Sequence, residues 1–111
     1  MSDERAFTSN QLKEMGFPDR EYAYPEAPGK AMAKLVMKRW GRRNALICYF
    51  DADDGRKLCL CVWFSDKPTR CYRPKDGKID MSYVEIGSRM YIEYDLNPAG
   101  HARFQKAELI D

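Results

Sequence analysis

The chain has 111 residues and a mass of 13.0 kDa, the size of one compact domain with no room for a second hydrophobic core. Its 44% hydrophobic residues, with 13% aromatics, exclude a disordered chain, and 32% charged residues without a ~20-residue apolar run exclude a helical membrane protein. The net charge is only +2, but residues 1–29, 30–78 and 79–111 carry −3, +8 and −3. A basic centre between acidic ends points to a face that meets a polyanion.

The start, Met-Ser-Asp-Glu-Arg, has neither the basic nor the apolar region of a secretory signal, which predicts a cytoplasmic protein with no membrane partner. Its cysteines are then expected as reduced thiols.

In the arm, Thr8-Ser9-Asn10-Gln11 has the spacing of a capping box, with Phe7 and Leu12 at the positions of a hydrophobic staple. Gly16 suits a left-handed C-terminal cap and Pro18 blocks continuation, so a helix of about two turns is predicted. Tyr22 to Gly29, with Pro25 and Pro28, reads as an extended acidic connector, and residues 1–29 as an appendage to the domain formed by 30–111.

From Lys30 the period changes to two. Ala31 to Trp40 and Ala45 to Phe50 are the first two predicted strands, and Asp53-Asp54-Gly55 turns the second into a third, Lys57 to Phe64. The glycine comes one position too early for a calcium loop. Residues 65–87 have no sustained period, although Asp80 can cap a short turn over Met81 to Glu85. Arg89 to Leu96 and His101 to Ile110 form a second hairpin through Asn97-Pro98-Ala99-Gly100.

A long strand, a hairpin, a connector and a second hairpin predict an all-β fold: a five-stranded, OB-fold-like Greek-key barrel with a short N-terminal helical arm. Val84-Glu85-Ile86-Gly87-Ser88-Arg89-Met90-Tyr91-Ile92-Glu93-Tyr94, followed by Ala107-Glu108-Leu109-Ile110-Asp111, resembles the last two strands of bacterial single-strand-binding and primosomal PriB-type proteins. The likeness is centred on Gly87-Ser88-Arg89 and covers the C-terminal third. It implies the same barrel and does not extend to the arm.

Alternation then assigns faces. Leu58, Leu60, Val62 and Phe64 point inward on the third strand, Met90, Ile92, Tyr94 and Leu96 on the fourth, and Leu46, Cys48 and Phe50 on the second. On the first strand the same rule puts Ala31, Ala33, Leu35 and Met37 inside and Lys34, Val36, Lys38 and Trp40 outside. The outer face therefore gathers Lys34, Lys38, Trp40, Tyr49, Lys57 and Trp63, with Arg39, Arg42 and Arg43 crowding the first loop. Arg70 and Arg73, with Lys67, Lys75 and Lys78, add a second basic cluster on the connector. Cations beside aromatic platforms suit single-stranded nucleic acid, which offers a phosphate at every nucleotide and exposed base faces.

Other chemistries find less support. Cys59 and Cys61 lie on one strand face, Cys48 and Cys71 are not at knuckle spacing, and His101 is the lone histidine, so neither a metal nor a cofactor is expected. No nucleophile-and-base set, phosphate loop or paired carboxylates suggests an enzyme. The expected activity is non-catalytic binding of single-stranded nucleic acid, DNA more than RNA. The alternative is a protein-interaction module using the same Trp, Tyr and Arg surface. The acidic arm is expected either to cover the groove or to mediate homo-oligomerisation.

Overall fold

The computed structural model describes residues 6–41, 45–63 and 81–110. Helix α1 (Ser9–Met15) starts as its sequence requires, with Thr8 Oγ1 accepting from the Gln11 N–H at 3.2 Å and Gln11 Oε1 accepting from the Thr8 N–H at 2.8 Å. Gly16 ends it at φ 72°, a left-handed conformation that costs glycine nothing. A short 3-10 turn follows at Asp19–Glu21.

Five antiparallel strands make one sheet: β1 (Gly29–Trp40), β2 (Ala45–Ala52), β3 (Lys57–Trp63), β4 (Arg89–Leu96) and β5 (Ala102–Ile110). The order across the sheet is β3-β2-β1-β4-β5. Another 3-10 turn, Met81–Tyr83, precedes β4. Among the described residues the protein is thus all-β with one short α-helix.

The inner face of every strand contributes to a single core that includes Leu35, Phe50, Leu60, Val62, Met90, Ile92 and Phe104. Phe50 of β2 and Phe104 of β5 stand with ring centroids 6.1 Å apart. In a flat sheet those strands would lie three spacings of about 4.8 Å from each other. The sheet therefore folds over and buries its inner face against itself, and β3 and β5, at opposite ends of the strand order, approach each other.

The far end of the β2–β3 hairpin is tied to the rest of the sheet. Asp53 accepts from Arg89 at 2.6 Å, and Arg56 reaches both Asp54 (2.7 Å) and the Tyr94 hydroxyl (2.6 Å). Much of the basic charge at this end is thus already matched by acids of the same chain.

One departure from simple alternation has large consequences. Leu35 pairs with Phe50 but Met37 pairs with Tyr49, so Val36 is an extra residue, a β-bulge. Since strand side chains alternate with a period of two, one inserted residue reverses every face after it. Met37 and Arg39 turn to the outer face, and Lys38 and Trp40 turn to the inner side, opposite to the expectation from sequence.

Lys38 is 3% exposed, and its ammonium donates to the backbone carbonyls of Met81 (3.5 Å), Ser82 (3.0 Å) and Val84 (2.5 Å). Burying a lysine is costly unless its donors are satisfied, and here they hold the turn that plugs one end of the core. Met81, Ser82 and Val84 are themselves buried. In the described residues no helix is long and apolar enough to cross a membrane.

Candidate nucleic-acid interface

The outer face of β2 and β3 is divided in two by the N-terminal arm. Phe7 pairs in parallel with β1, donating to the Lys38 carbonyl at 3.0 Å and accepting from the Trp40 N–H at 2.9 Å. Ala23 pairs in parallel with β3, donating to the Lys57 carbonyl at 3.2 Å and accepting from the Cys59 N–H at 3.0 Å. Between these two anchors the chain lies on the sheet. Leu12, Met37, Ile47, Tyr49 and Cys59 are buried together, with Phe7, Phe17 and Tyr22 packed against them. The arm is a layer of the structure rather than an appendage.

Tyr49 sits at the centre of this second cluster. The Phe17 and Tyr22 rings meet it edge-on, at 5.1 and 5.4 Å between centroids, and stack on each other at 5.4 Å. At 3% exposure it offers no platform to a ligand, which corrects the expectation for this residue. Its hydroxyl accepts from Arg39 Nε at 3.1 Å, and the same guanidinium donates to Ser9 Oγ at 3.1 Å. Arg39, expected in the first loop, instead lies on the outer face of β1 and fastens the arm to it. Tyr22 donates to Asp51 at 2.5 Å, and burial, followed by this carboxylate, raises its pKa.

The remaining expected residues are distributed as follows. Lys34 is exposed on β1, opposite Asp51 and Arg89 in its two ladders. The Lys57 ammonium stands 5.0 Å over the Tyr22 ring and 3.6 Å from Asp51. Lys38 and Trp40 belong to the inner side because of the bulge at Val36. Trp63 pairs with Ala45 through the backbone, and its side chain lies outside the described residues, as do Arg42, Arg43, Arg70 and Arg73.

Beyond Ala23 the cover ends and a groove of about 1100 Å³ opens. One wall is the connector, Tyr24 to Glu26. The floor is Ala45 and Ile47 of β2 with Cys61 of β3, and the far wall is the β4–β5 turn and the start of β5, from Asn97 to Phe104. Arg103 on that wall is held by Asp95 through two bonds of 2.9 Å. Asn97 Oδ1 accepts from the N–H groups of Ala99 and His101, fixing the turn.

Burial pushes the Cys59 and Cys61 thiols up to about 11, with the Tyr24 hydroxyl opposing the rise at Cys59. They are neutral at physiological pH and poor nucleophiles. Among the described residues, no group of three or more His, Cys, Asp or Glu side chains could hold a metal.

Sequence reasoning missed Tyr24 and the far wall. The two-residue spacing of Tyr22 and Tyr24 was the available signal, since in an extended segment it places both rings on one side. Compared with family models, curated proteins and solved structures, the chain matches none.

Proposed function

We propose that the protein binds single-stranded nucleic acid without catalysis, in the groove between the connector and the β4–β5 turn. The observation that carries this reading is the position of the groove. It opens over the outer face of β2 and β3, beside Ala45, which follows Arg42 and Arg43 by three and two residues. At about 1100 Å³ it reaches the upper end of small-molecule pockets, roughly 300 to 1,000 Å³.

The reading rests on the fold as well. We take the strand order, the Phe50–Phe104 contact and the approach of β3 to β5 as an OB-type barrel. Such barrels bind oligonucleotides on the face of strands two and three and on the loops after strands one and four. The open groove of this chain is lined by the strand two and three face and by the loop after strand four, with Ala45 at its edge. The basic middle of the sequence, carrying +8 over residues 30–78, supplies the long-range attraction for a polyanion.

Fluorescence anisotropy with labelled oligo-dT, oligo-U and a DNA duplex, at roughly 50 and 200 mM salt, tests this. Single strands are expected to bind more tightly than the duplex, with a salt slope near −0.7 for each phosphate neutralised. Trp63→Ala is expected to weaken binding. No binding to any of the three at 50 mM would overturn the reading and leave the groove to an acidic protein partner.

A further inference from the structure

We propose that Tyr24 is a base-stacking platform of the groove, so that the N-terminal connector is part of the binding site rather than a cover over it. The inference rests on the nucleic-acid reading above and names the residue that meets the base.

The aromatic rings of the outer face differ in what remains of their surfaces. Phe17, Tyr22 and Tyr49 use theirs on one another. Tyr24 keeps 49% of its surface exposed while lining the groove. Phe104, which also lines it, is 1% exposed and belongs to the inner core.

Tyr24 is also held in place before any ligand arrives. The preceding residue is bonded to β3 through both its N–H and its carbonyl. The following residue is Pro25, which restricts Tyr24 to an extended backbone. A ring whose backbone is already fixed loses less freedom when a base stacks on it, and preorganisation of this kind favours binding. Every base has a π-face, so the contact selects single strands without selecting sequence.

The charges near the ring separate stacking from phosphate binding. The described groove walls carry Glu26 on the connector and Arg103 already bonded to Asp95. Removing the Tyr24 ring therefore removes an interaction that salt does not screen.

The full chain is tested as wild type, Tyr24→Phe and Tyr24→Ala, by anisotropy with a labelled oligo-dT at roughly 50 and 200 mM salt. Tyr24→Ala is expected to weaken binding by roughly 5- to 150-fold, the range for removal of one base–aromatic stack, by the same factor at both salts. Tyr24→Phe keeps the ring and is expected to bind within about twofold of wild type. An oligonucleotide carrying 5-iodouracil, photo-cross-linked to the wild-type chain, is expected to attach at Tyr24 when the peptides are mapped by mass spectrometry.

If wild type binds while Tyr24→Ala binds equally well, the inference is overturned and the nucleic-acid reading stands. A loss in Tyr24→Phe as large as in Tyr24→Ala also overturns it, because the hydroxyl and not the ring would then matter. Should Tyr24→Ala lower the thermal midpoint, the cross-link on wild type decides: attachment at Tyr24 supports the platform, and its absence overturns it. Failure of the wild type to bind any oligonucleotide overturns both readings.

Discussion

The part of the outer face near the β2–β3 turn and the part near Ala45 and Trp63 are built from the same two strands with the same alternation. The first is closed by residues 7–23, and the second opens into a groove. In the closed half a tyrosine and an arginine, the side chains expected to meet a ligand, meet the chain's own arm. Tyr49 receives Phe17 and Tyr22, and Arg39 binds Tyr49 and Ser9. A strand face rich in aromatic and cationic residues has the same local pattern whether it binds a partner or a distant segment of its own chain. What distinguishes the two halves is the arm, and the arm ends its pairing at Ala23.

Lys38 gives the largest expected effect. Lys38→Ala takes the ammonium from the carbonyls of Ser82 and Val84 in the core, at roughly 1 to 3 kcal/mol for each group left unsatisfied, while the Met81 carbonyl keeps the Val84 N–H. A loss of at least about 2 kcal/mol is expected in urea denaturation. Oligonucleotide affinity of the protein that remains folded should not change. The reverse result, full stability with weakened binding and a shallower salt slope, would return Lys38 to the ligand face and contradict the bulge.

Leu12 tests whether the closed half is a true second core. It is 2% exposed, so Leu12→Ala is expected to cost about 2 to 3 kcal/mol, near the lower end for buried leucines. Met15 is 54% exposed on the same helix, and Met15→Ala should stay within about 0.5 kcal/mol. Equal and small losses at both positions would mean that the arm rests on the sheet without being part of its cooperative unit.

These two residues also show what was legible in the sequence. Helix α1 was readable because its signals are local: Thr8 and Gln11 cap one end, and Gly16 closes the other. The hairpin turns at Gly55 and Gly100 were readable because only a few residues adopt positive φ. Alternation placed Leu58, Leu60 and Val62, and likewise Met90, Ile92 and Tyr94, on the correct face. It failed on β1 after Leu35, since Val36 carries no local mark of a bulge. That bulge is set by pairing with β2, which is non-local, and it moved Lys38 and Trp40 to the other side. Tyr49 failed for a different reason: its face was right, but the arm that covers it comes from far away in sequence.

Titration compares the halves without any substitution. Cys59 in the closed half and Cys61 at the groove floor both have thiols raised to about 11 by burial, above the unfolded value near 8.5. Because the native chain holds protons that the unfolded chain has released, stability is retained below about pH 8.5 and lost as pH rises through about 11. Stability is expected to be lower at pH 10 than at pH 7.5, by on the order of 1 kcal/mol for each thiol. Burial of Tyr22 and Tyr24 acts in the same direction. Unchanged stability at pH 10, together with rapid alkylation of both cysteines in the native protein at pH 8, would show that neither half excludes water.

Lys57 has the smallest expected effect and probes the boundary itself. It is a cation on the predicted face, but its ammonium is held over Tyr22 and near Asp51, on the closed side of Ala23. For an exposed side chain with those partners, Lys57→Ala should alter stability by less than about 1 kcal/mol. A strand confined to the groove does not reach it, so affinity should stay within about twofold and the salt slope should not change. Neutralising Arg42 or Arg43 should instead flatten the slope by about 0.7 for each phosphate that is no longer neutralised. If Lys57→Ala flattens it by that amount, the phosphate path runs across the arm, and the line between the closed and open halves marks a difference in packing but not in binding.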